Sequence, residues 1–456
     1  MSPPTPAFRS AVVAGAVILM TVSGSMLWDL GYNYDGLTGG PLTKIHPFTY
    51  FIFAALAWRA LASGDPAGFV GARIARRPAA SWLLLFSGLL VAATALRAGP
   101  GLAGFIDTFG GPAVFALAIE DYSDADFKPL IVTLHVVMTV NALMGLTEFA
   151  THTLFFPYRF DGVAHLEDTR STALQGHPLI NAALTGIYIA SLMAGAKNLP
   201  AWLRAGLILL QFAALVVFGG RTAIVVSLAL TPLFAIYYVF AALRRGRVSL
   251  PAAATVCAAV PLIGLGVLLA LESGLIDKLL ERFVSDSGSA ESRVIMFDML
   301  QPFTLGQLIV GPNLEEVESL RRHFGLEQGV ENPFVRMTLY QGGLAMAATF
   351  LSLVWFFREL LRGRGFGVIG PVIAMAVLLN ASESIAVKTN FLDKLVLIFV
   401  CMFPKAAPAA QPRPSAATIA GSRARSRSSI SPMPSNRHQN AQGKPNASAL
   451  SRTSLT

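Results

Sequence analysis

Four short stretches of this 456-residue chain carry polar side chains whose types and spacing could do chemistry. In the first, Arg221 follows Phe218-Gly219-Gly220 and opens an apolar run. A cation in the first turn of a helix opposes the macrodipole by about 0.3–1 kcal/mol. It becomes favourable when an anion sits among the free N–H groups there. The plain alternative is an arginine that snorkels to a membrane edge. In the second, Arg293 stands near the start of Ser289-Ala290-Glu291-Ser292-Arg293-Val294-Ile295-Met296-Phe297-Asp298-Met299-Leu300, with Ser289 or Ser292 as cap and Pro302 ending the run. Its apolar positions suggest an amphipathic helix lying on a surface, with Arg293 in the same anion-receiving position. A Glu291–Arg293 pairing is the bland reading, although i,i+2 residues do not face each other on a helix. The third stretch is Glu331-Asn332-Pro333-Phe334-Val335-Arg336. Pro333 reads as ordinary first-turn chemistry, and Glu331 as either a general base or a dipole-compatible cap. His323, in Arg321-Arg322-His323, is a rival base, or part of a cluster that touches lipid phosphates. In the fourth, Arg170 and His177 precede an apolar run that begins Pro178-Leu179-Ile180-Asn181, His177 being a substrate contact or simply a helix-entry side chain. His135, in the middle of another apolar run, reads as a satisfied interior histidine.

Several familiar chemistries are missing. The chain has no Walker A loop, dinucleotide fingerprint, His-Glu-x-x-His or Cys-x-x-Cys. The expected chemistry therefore uses no cofactor, neither nucleotide nor metal. No pair of carboxylates is expected in mid-membrane, as a proton relay requires; Asp107, beside Gly110-Gly111-Pro112, stands alone.

The elements that must position these residues follow from composition. With 54% hydrophobic and only 13% charged residues, and a mean hydropathy of +0.58, too few polar side chains remain to coat a globule. A soluble enzyme, a nucleic-acid-binding module and a disordered protein are excluded on that ground. The net charge of +9 is no nucleic-acid signal, because eight of the excess charges lie after Pro404 in a tail without acidic residues. That Ser/Ala/Pro/Arg-rich tail, 404–456, reads as disordered and cytoplasmic, near anionic lipid. Cys257 and Cys401 both lie in apolar runs, so no disulfide framework is encoded.

The expected fold is an all-α polytopic inner-membrane helical bundle over 1–403. Twelve runs approach the length of a span: Ala11–Trp28, His46–Leu61, Ala79–Leu96, Leu102–Ile119, Pro129–Thr147, Leu179–Ala194, Ala201–Phe218, Thr222–Leu243, Ala252–Leu271, Phe334–Phe357, Val368 to about Ile385, and Phe391–Phe403. The fourth is broken by Asp107 and its glycines, and the last is short. Lys and Arg concentrate on one side, at Arg73, Arg76, Arg77, Lys128, Lys197, Arg204, Arg244, Arg245, Arg247, Arg358, Arg362 and Arg364. The positive-inside rule makes that side, with both termini, cytoplasmic. Two longer polar segments, 148–176 and the large loop of about 272–332, then lie outside, where a site is expected.

These pieces in this order resemble the bacterial O-antigen ligase and polymerase superfamily, the Wzy-type membrane glycosyltransferases. The matching residues are Arg170 to Asn181, Gly220-Arg221-Thr222-Ala223, Glu291-Ser292-Arg293-Val294, Val310-Gly311-Pro312-Asn313, and Asn332-Pro333-Phe334 through Gly342-Gly343-Leu344. Within the superfamily the chain looks closest to VpsF-like exopolysaccharide polymerases. The resemblance implies a metal-independent, inverting transfer of glycan repeat units from undecaprenyl pyrophosphate to an acceptor sugar on the periplasmic face. It implies that Arg221, Arg293 and Arg170 bind the pyrophosphate, that His177, Asn332 and Arg336 contact substrate, and that Glu331 or His323 is the catalytic base. Ligases usually carry a histidine where this chain has Glu331, which favours polymerase over O-antigen ligase. Expected partners are the undecaprenyl-pyrophosphate-linked oligosaccharide, membrane lipids, and the chain-length regulator and export machinery of a polymerase. A polysaccharide transporter or flippase is the competing class; it should show paired interrupted helices and ionisable groups at the midplane. Topology is the first test: reporter fusions at Gly246 and in the tail are expected to read cytoplasmic, and one near Ser287 periplasmic. A cytoplasmic reading near Ser287 removes the case for a periplasmic site.

Overall fold

The computed structural model describes residues 3–36, 39–97, 99, 101–160, 162–166, 168–196, 199–244, 272, 274, 277, 289–326, 329, 330, 332–381 and 385–405. The expected span Ala252–Leu271, the base candidate Glu331 and the tail lie outside the described residues, as does the side chain of Arg293. The chain begins with α1 (Pro6–Thr21) and the short α2 (Gly24–Asp29), then α3 (Pro47–Ala62), α4 (Pro66–Arg76) and α5 (Pro78–Leu96). Proline stands in the first turn of α1, α3, α4 and α5, where its missing N–H leaves no helix bond unmade. Next come α6 (Leu102–Phe105), a π-turn over Ile106–Gly110 and α7 (Gly111–Ala118), so the expected break at Asp107 is a bulge within one run. A Ser123/Asp126 capping box opens α8 (Asp124–Thr151), which runs past the expected span end and carries Glu148 inside it. A small hairpin, β1 (Arg159–Phe160) with β2 (Val163–Ala164), precedes α9 (Pro178–Met193), α10 (Ala201–Phe218) and α11 (Arg221–Arg244).

The second half holds α12 (Ser289–Asp298), α13 (Leu305–Val310), α14 (Leu314–His323), α15 (Pro333–Tyr340), α16 (Gly343–Leu361), α17 (Ile369–Ala381) and α18 (Phe391–Met402). Five described helices are long and apolar enough to cross a membrane: α5, α8, α10, Arg221–Tyr238 of α11, and α16. Shorter apolar helices are α1, α3, the α6–α7 unit, α9 and Phe366–Asn380. The fold is thus all-α and built for a membrane. The expected span Phe334–Phe357 is two helices, parted at Gln341–Gly342.

The last helix, although short for a span, is fully enclosed. Every residue of α18 is buried, and so is α9 from Asn181 to Met193, with α1, α7, α8, α10, α11 and α17 packed around the two. A helix buried on all sides has no need of amphipathic patterning. The valines of α8 at 132, 136 and 140 point outward, as lipid-facing positions would.

The two ends of the bundle differ. At one end three of the expected cytoplasmic arginines, Arg73, Arg77 and Arg364, are structural, together with Arg59. Arg59 and Arg73 share Asp121, Arg77 pairs with Glu120, and Arg364 bonds the carbonyls of Phe399, Val400 and Phe403. At the other end, α12 to α15 form a cap with its own core of Met296, Met299, Phe303, Val317, Leu326, Val330, Val335 and Leu339. The expected surface helix is therefore one wall of this cap, with Val294 and Phe297 left exposed. Arg97, at the end of α5, ties the cap down by donating to the carbonyls of Tyr340 (3.2 Å) and Pro312 (2.6 Å).

Gly342 sits where the cap meets α16, with φ +94° and room for no side chain: a Cβ would lie 2.5 Å from the Val310 carbonyl oxygen. Two of the motifs behind the resemblance, at Gly311 and Gly342, thus meet as backbone against backbone. Gly342→Ala is expected to cost about 1–3 kcal/mol through strain and overpacking. Thermal unfolding of the detergent-solubilised protein measures it; an unchanged Tm would mean that the junction yields freely.

Candidate functional site

The best-built polar feature at the cap end is the turn that carries Arg170 to His177. Glu148, only 1% exposed, accepts the amides of Thr172 (2.7 Å) and Ala173 (2.9 Å) with one carboxylate oxygen and that of Phe155 (2.8 Å) with the other. A carboxylate meeting several amides is a charge-assisted clamp. It holds Ala173 at φ +39°, a conformation rare for a residue with a side chain. Asn141 accepts from the Leu174 amide at 3.1 Å and donates to Asn181 at 2.8 Å, while Asn181 donates to the Thr172 carbonyl. Gln175 donates to the Met20 carbonyl at 2.9 Å and accepts from Lys394. Every free end of this turn is thereby tied to α1, α8, α9 or α18.

The turn brings two of the predicted residues to one place. Ser171, next to Arg170, donates its amide to the Val217 carbonyl at 3.2 Å, just before the Gly219-Gly220-Arg221 corner. Gly220 in turn packs against Ala182 so closely that a Cβ would collide with it. Arg170 and the start of α11 therefore share one corner with the N-terminal turn of α9. Arg170 holds Asp168 along its Nε and Nη2 edge, with Nε 2.8 Å from Oδ1. Arg221 is half-buried at the first residue of α11, as its sequence context indicates. The corner brings together two helix starts, the Arg170–Asp168 pair and Arg221, so Arg170 would exchange Asp168 for an anion in order to bind one.

His177 is the helix-entry residue. Its Nδ1 accepts from the Leu179 amide at 3.1 Å, which assigns the ring proton to Nε2, and its ring packs 4.4 Å from that of Tyr158. Burial, helped by the Arg170 guanidinium, pushes its pKa down to about 3 against the opposing Asp168. The ring is therefore neutral at physiological pH, and its basic nitrogen is occupied by the cap.

The third stretch is placed on the cap. Asn332 caps α15, its Oδ1 accepting from Phe334 (2.9 Å) and Val335 (3.2 Å), and its Nδ2 lies 3.4 Å from Asn380 Oδ1 on α17. Arg336 lies 5.2 Å from the Tyr340 ring centre. Tyr340 donates to Glu318 at 2.6 Å; partial burial pushes Glu318 up, but the bonds from Tyr340 and Arg321 win and leave it below the usual carboxylate range. His323 ends α14, exposed and edge-on to Phe324 at 5.4 Å. The structure brings Arg170, His177 and the start of α11 at Arg221 to one corner; Asn332 and Arg336 stand together on α15 of the cap, and His323 ends the neighbouring α14.

Sequence reasoning missed Glu148, Asn141 and Gln175. The signal was an acid and amides at the edges of apolar runs, which are costly there unless bonded. It also took Asp107 as unpaired and saw no carboxylate pair. Asp107 accepts from the Tyr34 hydroxyl at 2.9 Å and the His46 amide at 3.0 Å, and Asp393 is buried in the adjoining α18. His135, read as satisfied, meets the Tyr188 hydroxyl at 2.6 Å through Nδ1, but its Nε2 has no partner. Among the described residues, no group of three or more His, Cys, Asp or Glu is arranged to hold a metal ion. Comparison with protein-family models, curated proteins and solved structures finds no match for this chain.

Glu148→Gln replaces an acceptor oxygen with a donor that faces the same amides. The expected loss is about 1–3 kcal/mol of stability, with faster hydrogen exchange at the Thr172 and Ala173 amides and little change at the far end of the bundle. Unchanged exchange at those two amides would mean that the turn stands without the carboxylate.

Proposed function

We propose that this chain is a polysaccharide polymerase of the bacterial inner membrane. It transfers undecaprenyl-pyrophosphate-linked glycan repeat units to an acceptor sugar on the periplasmic face. The observation that carries the reading is the corner where the backbone beside Arg170 bonds the end of α10 just before Arg221, the Arg170 turn being clamped by Glu148. On this reading twelve spans leave both termini in the cytoplasm, and the cap end faces the periplasm. The resemblance supplies the substrate class, and the positive-inside bias supplies the orientation.

The chemistry asked of the site is modest in parts. The acceptor hydroxyl oxygen bonds to the anomeric carbon from the face opposite the leaving group. The bond from that carbon to the pyrophosphate oxygen breaks, and its electron pair stays on the pyrophosphate. The hydroxyl proton passes to a base, for which Glu331 and His323 are the candidates. Charge grows on the leaving oxygen, and fixed guanidinium groups at a low-dielectric boundary stabilise it more than they stabilise the bound donor. Each charge-assisted hydrogen bond contributes roughly 1.5–3 kcal/mol. Two bidentate arginines would thus supply much of the ~8 kcal/mol at the lower end of enzymatic rate enhancement.

The test is product analysis with purified protein and lipid-linked repeat units, where a ladder of lengths is expected. A single addition to a different lipid would point to a ligase, and no covalent product to a transporter. Arg221→Ala is expected to abolish the ladder without lowering the amount of folded protein, and Arg221→Lys to restore it only in part, because Lys cannot make the bidentate contact. Glu331→Gln should slow turnover per folded molecule by about 10²–10⁴-fold if Glu331 is the base. As a cap it would cost only about 1 kcal/mol of stability.

A further inference from the structure

Asp107 in the π-turn and Asp393 in the first turn of α18 are both 0% exposed. Asp107 is satisfied by the Tyr34 hydroxyl and the His46 amide. Asp393 is not: neither carboxylate oxygen has a hydrogen-bond partner. Those oxygens lie against Gly111, where a Cβ would come within 2.8 Å of Oδ1 and 3.0 Å of Oδ2. Gly111 directly follows the π-turn, and such bulges are frequent at functional sites.

The neighbouring lysines place their hydrogen bonds elsewhere, although the Lys394 charge acts on Asp393 and the Lys388 charge on Asp107. Lys388, on the approach to α18, bonds the Tyr34 carbonyl, lies 3.6 Å from the Tyr34 ring centre and is 3.9 Å from Asp35. Lys394, beside Asp393 in sequence, reaches Gln175. His46 is held as the cap of α3, between the Phe48 amide and the Val22 carbonyl. Elsewhere on the helices packed against α18, His135 meets Tyr188 and Glu148 holds the Thr172 and Ala173 amides. A buried carboxylate that no donor reaches is costly even with the Lys394 charge acting on it, unless a partner joins its oxygens. Hard oxygen donors select a proton or a hard metal ion, and carboxylates already offset in part by Lys388 and Lys394 leave room for no more than one positive charge.

We propose that Asp393, together with Asp107, bounds a site for one small monovalent cation, a proton or an alkali-metal ion, between the π-turn and α18. The site lies one helix from the Arg170–His177 turn, joined to it through Lys394 and Gln175. It stands whether or not the chain transfers glycan.

The experiment uses the full chain in lipid nanodiscs and reads Tm. Sodium, potassium or choline chloride is compared at constant ionic strength, and pH is then varied in choline chloride. A ligand that binds only the folded state raises Tm with its concentration. If the cation is an alkali ion, replacing choline by sodium or potassium is expected to raise Tm by about 2–4 °C, and Asp393→Asn to remove the rise. If it is a proton, the three salts should agree, Tm should fall as pH rises, and Asp393→Asn should flatten that fall while Asp107 stays intact. Should Asp393→Asn not fold, wild type alone decides. Sodium NMR line broadening reports an alkali ion, and an infrared carbonyl band of an un-ionised buried carboxyl reports a proton. No salt effect, no such band and no difference in pH response between wild type and Asp393→Asn would overturn the proposal.

Discussion

A buried carboxylate on amide hydrogens is the interaction on which the cap end depends. Glu148 sits three residues from the end of α8, inside an apolar bundle, and takes up the backbone of a turn that has no helix or sheet of its own. Without an acceptor, the amides of Thr172 and Ala173 would be left unpaired in a medium that offers no water. With it, the turn is fixed in a conformation that few residues adopt, and that conformation carries Arg170 and His177 to the first turn of α9. Asn141, Asn181 and Gln175 complete the support. The arginine corner is thus positioned by groups that do not themselves touch an anion.

The same constraint recurs at other charged residues that the bundle encloses. Asp107 is accommodated at a bulge by a hydroxyl and an amide, and Arg73 and Arg77 by acids at the opposite end. Asp393 is the exception, a buried carboxylate with no donor. Among the described residues other buried polar atoms also lack partners, but Asp393 is a carboxylate with both oxygens unmet, which is why it is informative.

Much of the fold was legible from hydropathy alone. The run from Thr222 to Leu243 is α11 to within a residue at each end, and Ser289 does begin α12. Asn332-Pro333 and His177-Pro178 are both helix entries, as the proline placement implies. What hydropathy could not give was depth. The short Phe391–Phe403 run is one of the two weakest spans by sequence, yet every residue of its helix is buried, because burial depends on neighbours and not on length. Nor could it separate α15 from α16, since Met337, Leu339 and Tyr340 are as apolar in a cap core as in a span. The clamping residues stayed hidden because an acid or amide at the edge of an apolar run signals a loop unless its tertiary partners are known.

The central claim is that Arg170 and Arg221 act on one anion, held in register by the turn between them. A double-mutant cycle on binding of undecaprenyl pyrophosphate tests it most directly, using wild type, Arg170→Ala, Arg221→Ala and the double variant in nanodiscs. Shared engagement of one pyrophosphate predicts a coupling energy of about 0.5–3 kcal/mol between the two substitutions. Strictly additive losses, or binding that neither substitution changes, would contradict the account.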